Sequence, residues 1–449
     1  MTWSWRSHRV GRPRHYLFRV RFRHPRVAIA FAIAGAIQLV LSVPARAQTG
    51  VDSMESRDST RASFGLRAQA IALAARMNPG PADRSYTEGY LAQPLIMAHG
   101  GVLDGHLAGV LTLDFEGWTL GRGQLNAGTY GEGYADRRHP HTYLHEAIAV
   151  ASGAFGRLGV SLAGGKGFVP FGTDDPMTRP FAAYPVNHHL AQILERYVAI
   201  AAASAGPLTL EGAVFNGDEP ASPGAPPDAS RFGDSWAVRA TVTPHSLLEV
   251  EGSFASVTSP ELVGGGGRDQ RKWSVGARLA QPLGRLSSAL VEWARTDELV
   301  GDVKANQFTS FLAEGSTAVA RATVSARFEN TTRPEEERLL DPFRYSRSPT
   351  DLAIIGITRW QIGTIAVATP LRARRVDIAP FVEVSYAHPT EELTPSAFVP
   401  QDFYGSTSIW SASVGLRLGI GSMAHRMGRY GAGMPNVPGA AVAGAQHVH

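Results

Sequence analysis

Ile409–Ile420 reads IWSASVGLRLGI. Trp410, Ala412, Val414, Leu416, Leu418 and Ile420 fall on one parity; Ile409, Ser411, Ser413, Gly415, Arg417 and Gly419 fall on the other. Successive side chains of a strand point to opposite faces, so a period of two predicts a strand with one apolar and one polar face. The pattern returns in Ala320–Glu329 (ARATVSARFE), Ser235–Thr243 (SWAVRATVT) and Lys272–Leu279 (KWSVGARL), and less cleanly in Ile378–Tyr386, where Phe381 falls on the polar parity. That parity also carries charge: Arg239, Glu249, Glu251, Lys272, Arg278, Glu292, Arg321, Arg327, Glu329, Glu383 and Arg417. A soluble β-sandwich alternates too, but rarely over a stretch as long as 105–420. A water-filled lumen tolerates the charges, and lipid explains the uncharged opposite face. The reading is an all-β chain: a transmembrane antiparallel β-barrel with those charged residues lining its pore.

Long polar connections alternate with short turns. The long ones fall near 117–143, 167–195, 217–231, 258–271, 297–305, 330–350 and 387–406; the short ones fall near Gly156, Gly206, Pro244, Pro282, Gly315 and Leu371. Short periplasmic turns and long extracellular loops are the asymmetry expected of such barrels. Seven long and six short connections give about 14 strands, with 12 and 16 as alternatives.

Ahead of the barrel, residues 1–47 hold nine arginines and no acidic residue or lysine, then the uncharged run Val27–Val43 and Ala45-Arg46-Ala47. This reads as a cleavable secretory signal peptide. Without its nine arginines, 34 basic residues face 39 acidic ones, so the rest of the chain carries −5 rather than +4. The basic character therefore belongs to the leader, and no nucleic-acid partner is expected. Residues 48–104 read as a linker with a short helix over Phe64–Met77, stopped by Asn78-Pro79-Gly80. Residues 421–449 read as a disordered Gly/Ala-rich tail in which Met423, His425 and Met427 alternate. The chain has no cysteine, which excludes disulfides, thiolate metal sites and a Cys nucleophile.

Two segments carry candidate chemistry. His139, His141 and His145 lie close together in Tyr130–Glu146 (YGEGYADRRHPHTYLHE) and could bind Zn²⁺ or Cu²⁺ through imidazole; otherwise no cofactor is expected. Gly164–Arg196 holds four prolines, with Asn187 placed to cap a helix over His188–Glu195. Folded into the barrel, this loop would bring Lys166, Asp174, Asp175, Arg179 and His188 to a constriction. No G-x-S-x-G, H-E-x-x-H, P-loop or dinucleotide-binding motif is present, and no enzymatic activity is expected.

The stretch Gly165–Gly172 (GKGFVPFG) resembles the glycine–PFG segment of phosphate-selective-type porins. The resemblance implies an outer-membrane channel for anions or small solutes. That family's lysine- and arginine-rich ladder is not evident, because the expected lumen holds six basic and five acidic residues. The functional expectation is passive diffusion of small hydrophilic solutes or ions across the bacterial outer membrane. The partners are the lipid of that membrane, the solute and the barrel-assembly machinery. The alternative is a non-conducting barrel that binds a ligand or metal through its His-rich outer loops.

Overall fold

The computed structural model describes residues 62–80, 84–120, 141–173, 175–262, 264–336, 354–373, 376–392, 398–422 and 426–434. The expected leader, His139 and Asp174 lie outside these residues. The strands are β1 (Ser63–Gly80), β2 (Arg84–Val102), β3 (Leu107–Asp114), β4 (Leu144–Phe155), β5 (Leu158–Gly167), β6 (Arg196–Ala205), β7 (Leu208–Phe215) and β8 (Ser235–His245). They continue as β9 (Leu248–Val257), β10 (Asp269–Leu279), β11 (Leu286–Val300), β12 (Val303–Val319) and β13 (Ala322–Glu336). Last come β14 (Ile354–Ala368, resuming as Leu371–Ala373), β15 (Val376–Glu391) and β16 (Ile409–Ser422). Each pairs antiparallel with its sequence neighbours, and β1 closes the sheet on β16 through the register Leu66↔Ser422 to Asn78↔Trp410. A closed antiparallel wall satisfies its own backbone hydrogen bonds, which a span through lipid requires. No helix among the described residues is long and apolar enough to cross a membrane.

Region 105–420 contributes 14 strands, as expected, but the barrel has 16, because β1 and β2 precede it. The helix expected over Phe64–Met77 is therefore a strand, and the barrel begins at Ser63 rather than 105. Alanine-rich composition favours helix locally. Here Ile71, Leu73, Ala75 and Met77 turn inward with period two, and partners on both sides supply ladder bonds that override propensity. A second correction concerns the β12–β13 hairpin. The turn expected at Gly315-Ser316 lies inside β12, and the chain reverses at Ala320-Arg321, with Ala320 at φ 54°. Arg321 is consequently exposed in a turn, not on the lumen wall.

The outer face is apolar, as the alternation demands. Val238, Val275, Val291, Phe328, Ile365, Val382, Val414 and Leu416 are exposed there. Trp236, Phe254 and Trp273 stack at 5.3 Å centroid spacings, and Tyr386 meets Trp410 at 4.7 Å. These rings sit on the strand ends next to the long connections, where an aromatic girdle meets the membrane interface. Two-residue turns at Gly156-Arg157, Gly206-Pro207 and Ser246-Leu247 mark the opposite rim. Both ends of the wall, Ser63 and Ser422, reach that short-turn rim.

Candidate functional site

The lumen is filled from both rims. From the long-loop side, residues 168–195 enter between β5 and β6 and cross the interior, held by wall charges acting on the loop backbone. Glu383 accepts hydrogen bonds from the Ala182 and Ala183 amides (2.7 and 3.0 Å). Glu329 accepts from the Val186 amide (2.7 Å) and Glu292 from the Asn187 side chain (2.6 Å). Arg327 donates to the Ala183 carbonyl (3.0 Å), Arg417 to Pro180 (2.8 Å) and Lys272 to His189 (2.6 Å). Charge-assisted bonds to buried backbone groups are the stronger class, and they replace the water that each charge has lost. Proline at 170, 176, 180 and 185 keeps the segment out of ladder pairing. Gly172 (φ +70°) lies so close to the Ala191 carbonyl oxygen that a Cβ would stand 1.6 Å from it.

From the short-turn side, the chain re-enters the barrel after β16. Residues 426–434 pack against β4–β9, with Met427, Arg429 and Tyr430 buried. This corrects the expectation of a disordered tail over 421–422, which complete β16, and 426–434, which are ordered inside the wall; 423–425 and 435–449 lie outside the described residues. Arg426 donates to both oxygens of Glu249 (2.7 and 2.9 Å). Arg429 reaches Glu211 (3.3 Å), Thr241 (3.0 Å) and Glu251. The Tyr430 hydroxyl donates to Glu146 (2.6 Å) and accepts from the Phe168 amide (3.2 Å). Arg239 joins wall, loop and tail: it pairs with Glu211 (2.6 Å) and donates to the carbonyls of Gly172 (3.2 Å) and Gly428 (3.0 Å).

Apolar packing joins the same parts. Inward-facing Ile148, Val150, Ala163, Val198 and Ile200 form one cluster with Phe168, Phe171 and Tyr184 of the loop and with Met427 and Tyr430 of the tail. Ala182 at the loop tip packs with Ile71, Leu73 and Phe381, which explains the aromatic ring on the polar parity of β15. Arg417 lies over that ring at 5.5 Å.

At the long-loop rim, loop and wall meet in a cluster of imidazoles and carboxylates. His141 and His145 lie edge-on at 4.9 Å, and His188 lies 5.8 Å from His141. Glu195, held at φ 59°, turns its carboxylate back to the Thr142 amide (2.8 Å), the Thr142 hydroxyl (2.6 Å) and His145 Nδ1 (2.9 Å). Burial pushes the Glu195 carboxyl up, but the His145 hydrogen bond and the Lys166 ammonium outweigh it and hold the group well below the usual carboxylate range. Burial raises Asp175 against its neighbouring imidazoles.

The expected wall residues Arg239, Glu249, Glu251, Lys272, Arg278, Glu292, Arg327, Glu329, Glu383 and Arg417 all sit on inward strand positions, and Arg321 does not. Of the expected constriction set, Asp175, Arg179 and His188 are in the lumen loop, whereas Lys166 belongs to β5 and donates to the Leu144 carbonyl (2.6 Å). Asn187 does not cap the short helix, which spans only His188–Ala191. Sequence reasoning missed Glu211 and the tail arginines Arg426 and Arg429. The signal for the last two was a pair of cations at spacing three in a tail with no acidic residue.

No protein-family model and no curated protein matches this chain. Among solved structures it is similar to an anion-selective porin from Comamonas acidovorans, at 12% identity over 80% of this chain and 100% of that one, with a TM-score of 0.48. It is also similar to a loop L8 deletion mutant of OmpT, an outer membrane protein of Vibrio cholerae (10% identity, 80% and 99% coverage, TM-score 0.47). A third is Pseudomonas aeruginosa OccK3 (10% identity, 80% and 96% coverage, TM-score 0.36). The barrel itself is established by its closed strand register.

Proposed function

We propose that the chain is an outer-membrane pore for small hydrophilic solutes or ions, seen here closed, with the 168–195 loop as its constriction and residues 426–434 as a removable plug. One observation carries this reading: the plug is held by ion pairs, hydrogen bonds and apolar contacts, not by strand pairing. It can leave without breaking a rung of the wall. Its departure exposes Glu211, Glu249 and Glu251 against Arg239 and Arg278, a net excess of acid. The open lumen then favours cations weakly, as rings of side-chain charge do in pores. No catalytic role belongs to this reading.

Planar-bilayer recording tests it on the full chain and on a chain ending at Ser422. The full chain gives infrequent openings, and the shortened chain gives steady conductance with slight cation preference. A shortened chain that still shows the gel-mobility shift of a folded barrel, yet passes no current, refutes the channel.

A further inference from the structure

We propose that Asp114, Glu116 and His141 bind one divalent transition-metal ion at the long-loop rim. β3 ends at Asp114, and the next turn, Glu116–Thr119, is a short helix. Asp114 Oδ1 accepts the Glu116 amide (2.8 Å), and Glu116 Oε1 accepts the Gln93 amide (2.8 Å). Each carboxylate is thereby oriented through one oxygen, and the other faces the same imidazole. His141 Nδ1 lies 3.2 Å from Glu116 Oε2 and 3.8 Å from Asp114 Oδ2. One donor atom from each of the three residues falls within 4.8 Å of the others, and all three side chains are buried. An ion with bonds of about 2.0–2.2 Å holds its ligand atoms roughly 3–3.5 Å apart, so modest side-chain movement closes the set. One imidazole beside two carboxylates suits a borderline ion such as Zn²⁺ better than Mg²⁺ or Ca²⁺, which take oxygen alone.

A second imidazole lies beside this set. His145, edge-on to His141, directs Nδ1 to Glu195, while its Nε2 is buried with no hydrogen-bond partner among the described residues. A small cavity of about 30 Å³, partly open to solvent and lined by His141, His188, His189 and Glu195, adjoins the set. The sequence reading grouped His139, His141 and His145. His139 lies outside the described residues; among those described, His141 meets one acid at the end of β3 and one on the short helix that follows.

Metal-free full-length protein in detergent, titrated with Zn²⁺ against a chromophoric chelator, tests the site. One ion per chain is expected, with affinity reduced at least about tenfold in Glu116→Gln and in His141→Ala. Binding is unchanged in a His447→Ala/His449→Ala chain, and millimolar Mg²⁺ does not displace the ion. Each variant is checked for the folded-barrel gel shift. If His141→Ala does not fold, Glu116→Gln decides, together with the visible spectrum of bound Co²⁺, which it alters. No competition with the chelator, full affinity in Glu116→Gln with an unaltered Co²⁺ spectrum, or displacement by Mg²⁺ overturns the proposal.

Discussion

Replacing Arg429 with alanine removes the cation at the centre of the plug. Its side chain is 1% exposed and serves Glu211, Glu249 and Glu251 together, with a further hydrogen bond to Thr241 (3.0 Å). Deleting one partner of a buried ion cluster typically costs about 3–5 kcal/mol, because the other charges stay buried and uncompensated. Arg239 and Arg426 still face the three carboxylates, which argues for the lower end. At about 1.4 kcal/mol per tenfold, even 3 kcal/mol shifts the docked-to-released ratio of the plug by roughly two orders of magnitude. The natural chain has no cysteine, so Ala432→Cys gives a single reporter thiol on the plug, where the residue 432 amide donates to Ser161 Oγ (2.9 Å). Ala432 is half-buried with the plug docked and becomes free on release, so reaction with a membrane-impermeant maleimide speeds up as the released share grows. The labelling rate rises in the Arg429→Ala background, by up to about the same two orders of magnitude. Arg429→Lys, which keeps charge but loses the planar fork, falls between. An identical labelling rate with and without Arg429 refutes the reasoning.

Three further expectations concern loop, wall and pH. Glu383→Gln keeps one acceptor where two backbone amides now share a carboxylate, which weakens the loop anchor by about 2 kcal/mol. Protease cleavage within 168–195 then speeds up, and an unchanged rate shows that the anchor is not Glu383. Val414 is 58% exposed on the outward face of β16, so Val414→Arg destabilises the barrel in lipid vesicles by about 2–4 kcal/mol, read from urea unfolding. Wild-type unfolding of that variant places Val414 away from lipid. The depressed Glu195 carboxyl contributes its full stabilisation above the ordinary glutamate value of about 4.3 and loses it as pH falls through its lower folded value. The melting-temperature gap between the parent and Glu195→Gln thus narrows as pH falls below about 4. A gap that widens in acid contradicts the sign.

Period-two alternation made the wall legible. In β16 the parity from Trp410 to Ile420, and in β8 that from Trp236 to Val242, faces out as read, because lipid on one side and polar interior on the other leave a strand no second choice of register. β1 escaped notice because its inward face is also apolar: Ile71 and Leu73 pack on a lumen loop far away in sequence. Phe381 is the same case, an apolar ring whose partners are Ala182 and Arg417. The wall charges were found, but not their work. Glu383 and Arg327 read as water-facing pore residues, whereas their carboxylate and guanidinium bind loop backbone, which no side-chain pattern encodes. The plug was hidden by its own composition. Gly428 and Gly431 adopt positive φ (73° and 53°) to bring Arg429 and Tyr430 to the wall, and in the sequence such glycines read as disorder.

The account turns on a lumen closed by the 426–434 segment, which can leave because no strand pairing holds it. Single-channel recording on the Ser161→Cys/Ala432→Cys chain measures this most directly, since a disulfide there ties the plug to β5. Once the cross-link is verified, the account predicts silence in the oxidised protein and openings on addition of reductant. Equal conductance in the two states contradicts it.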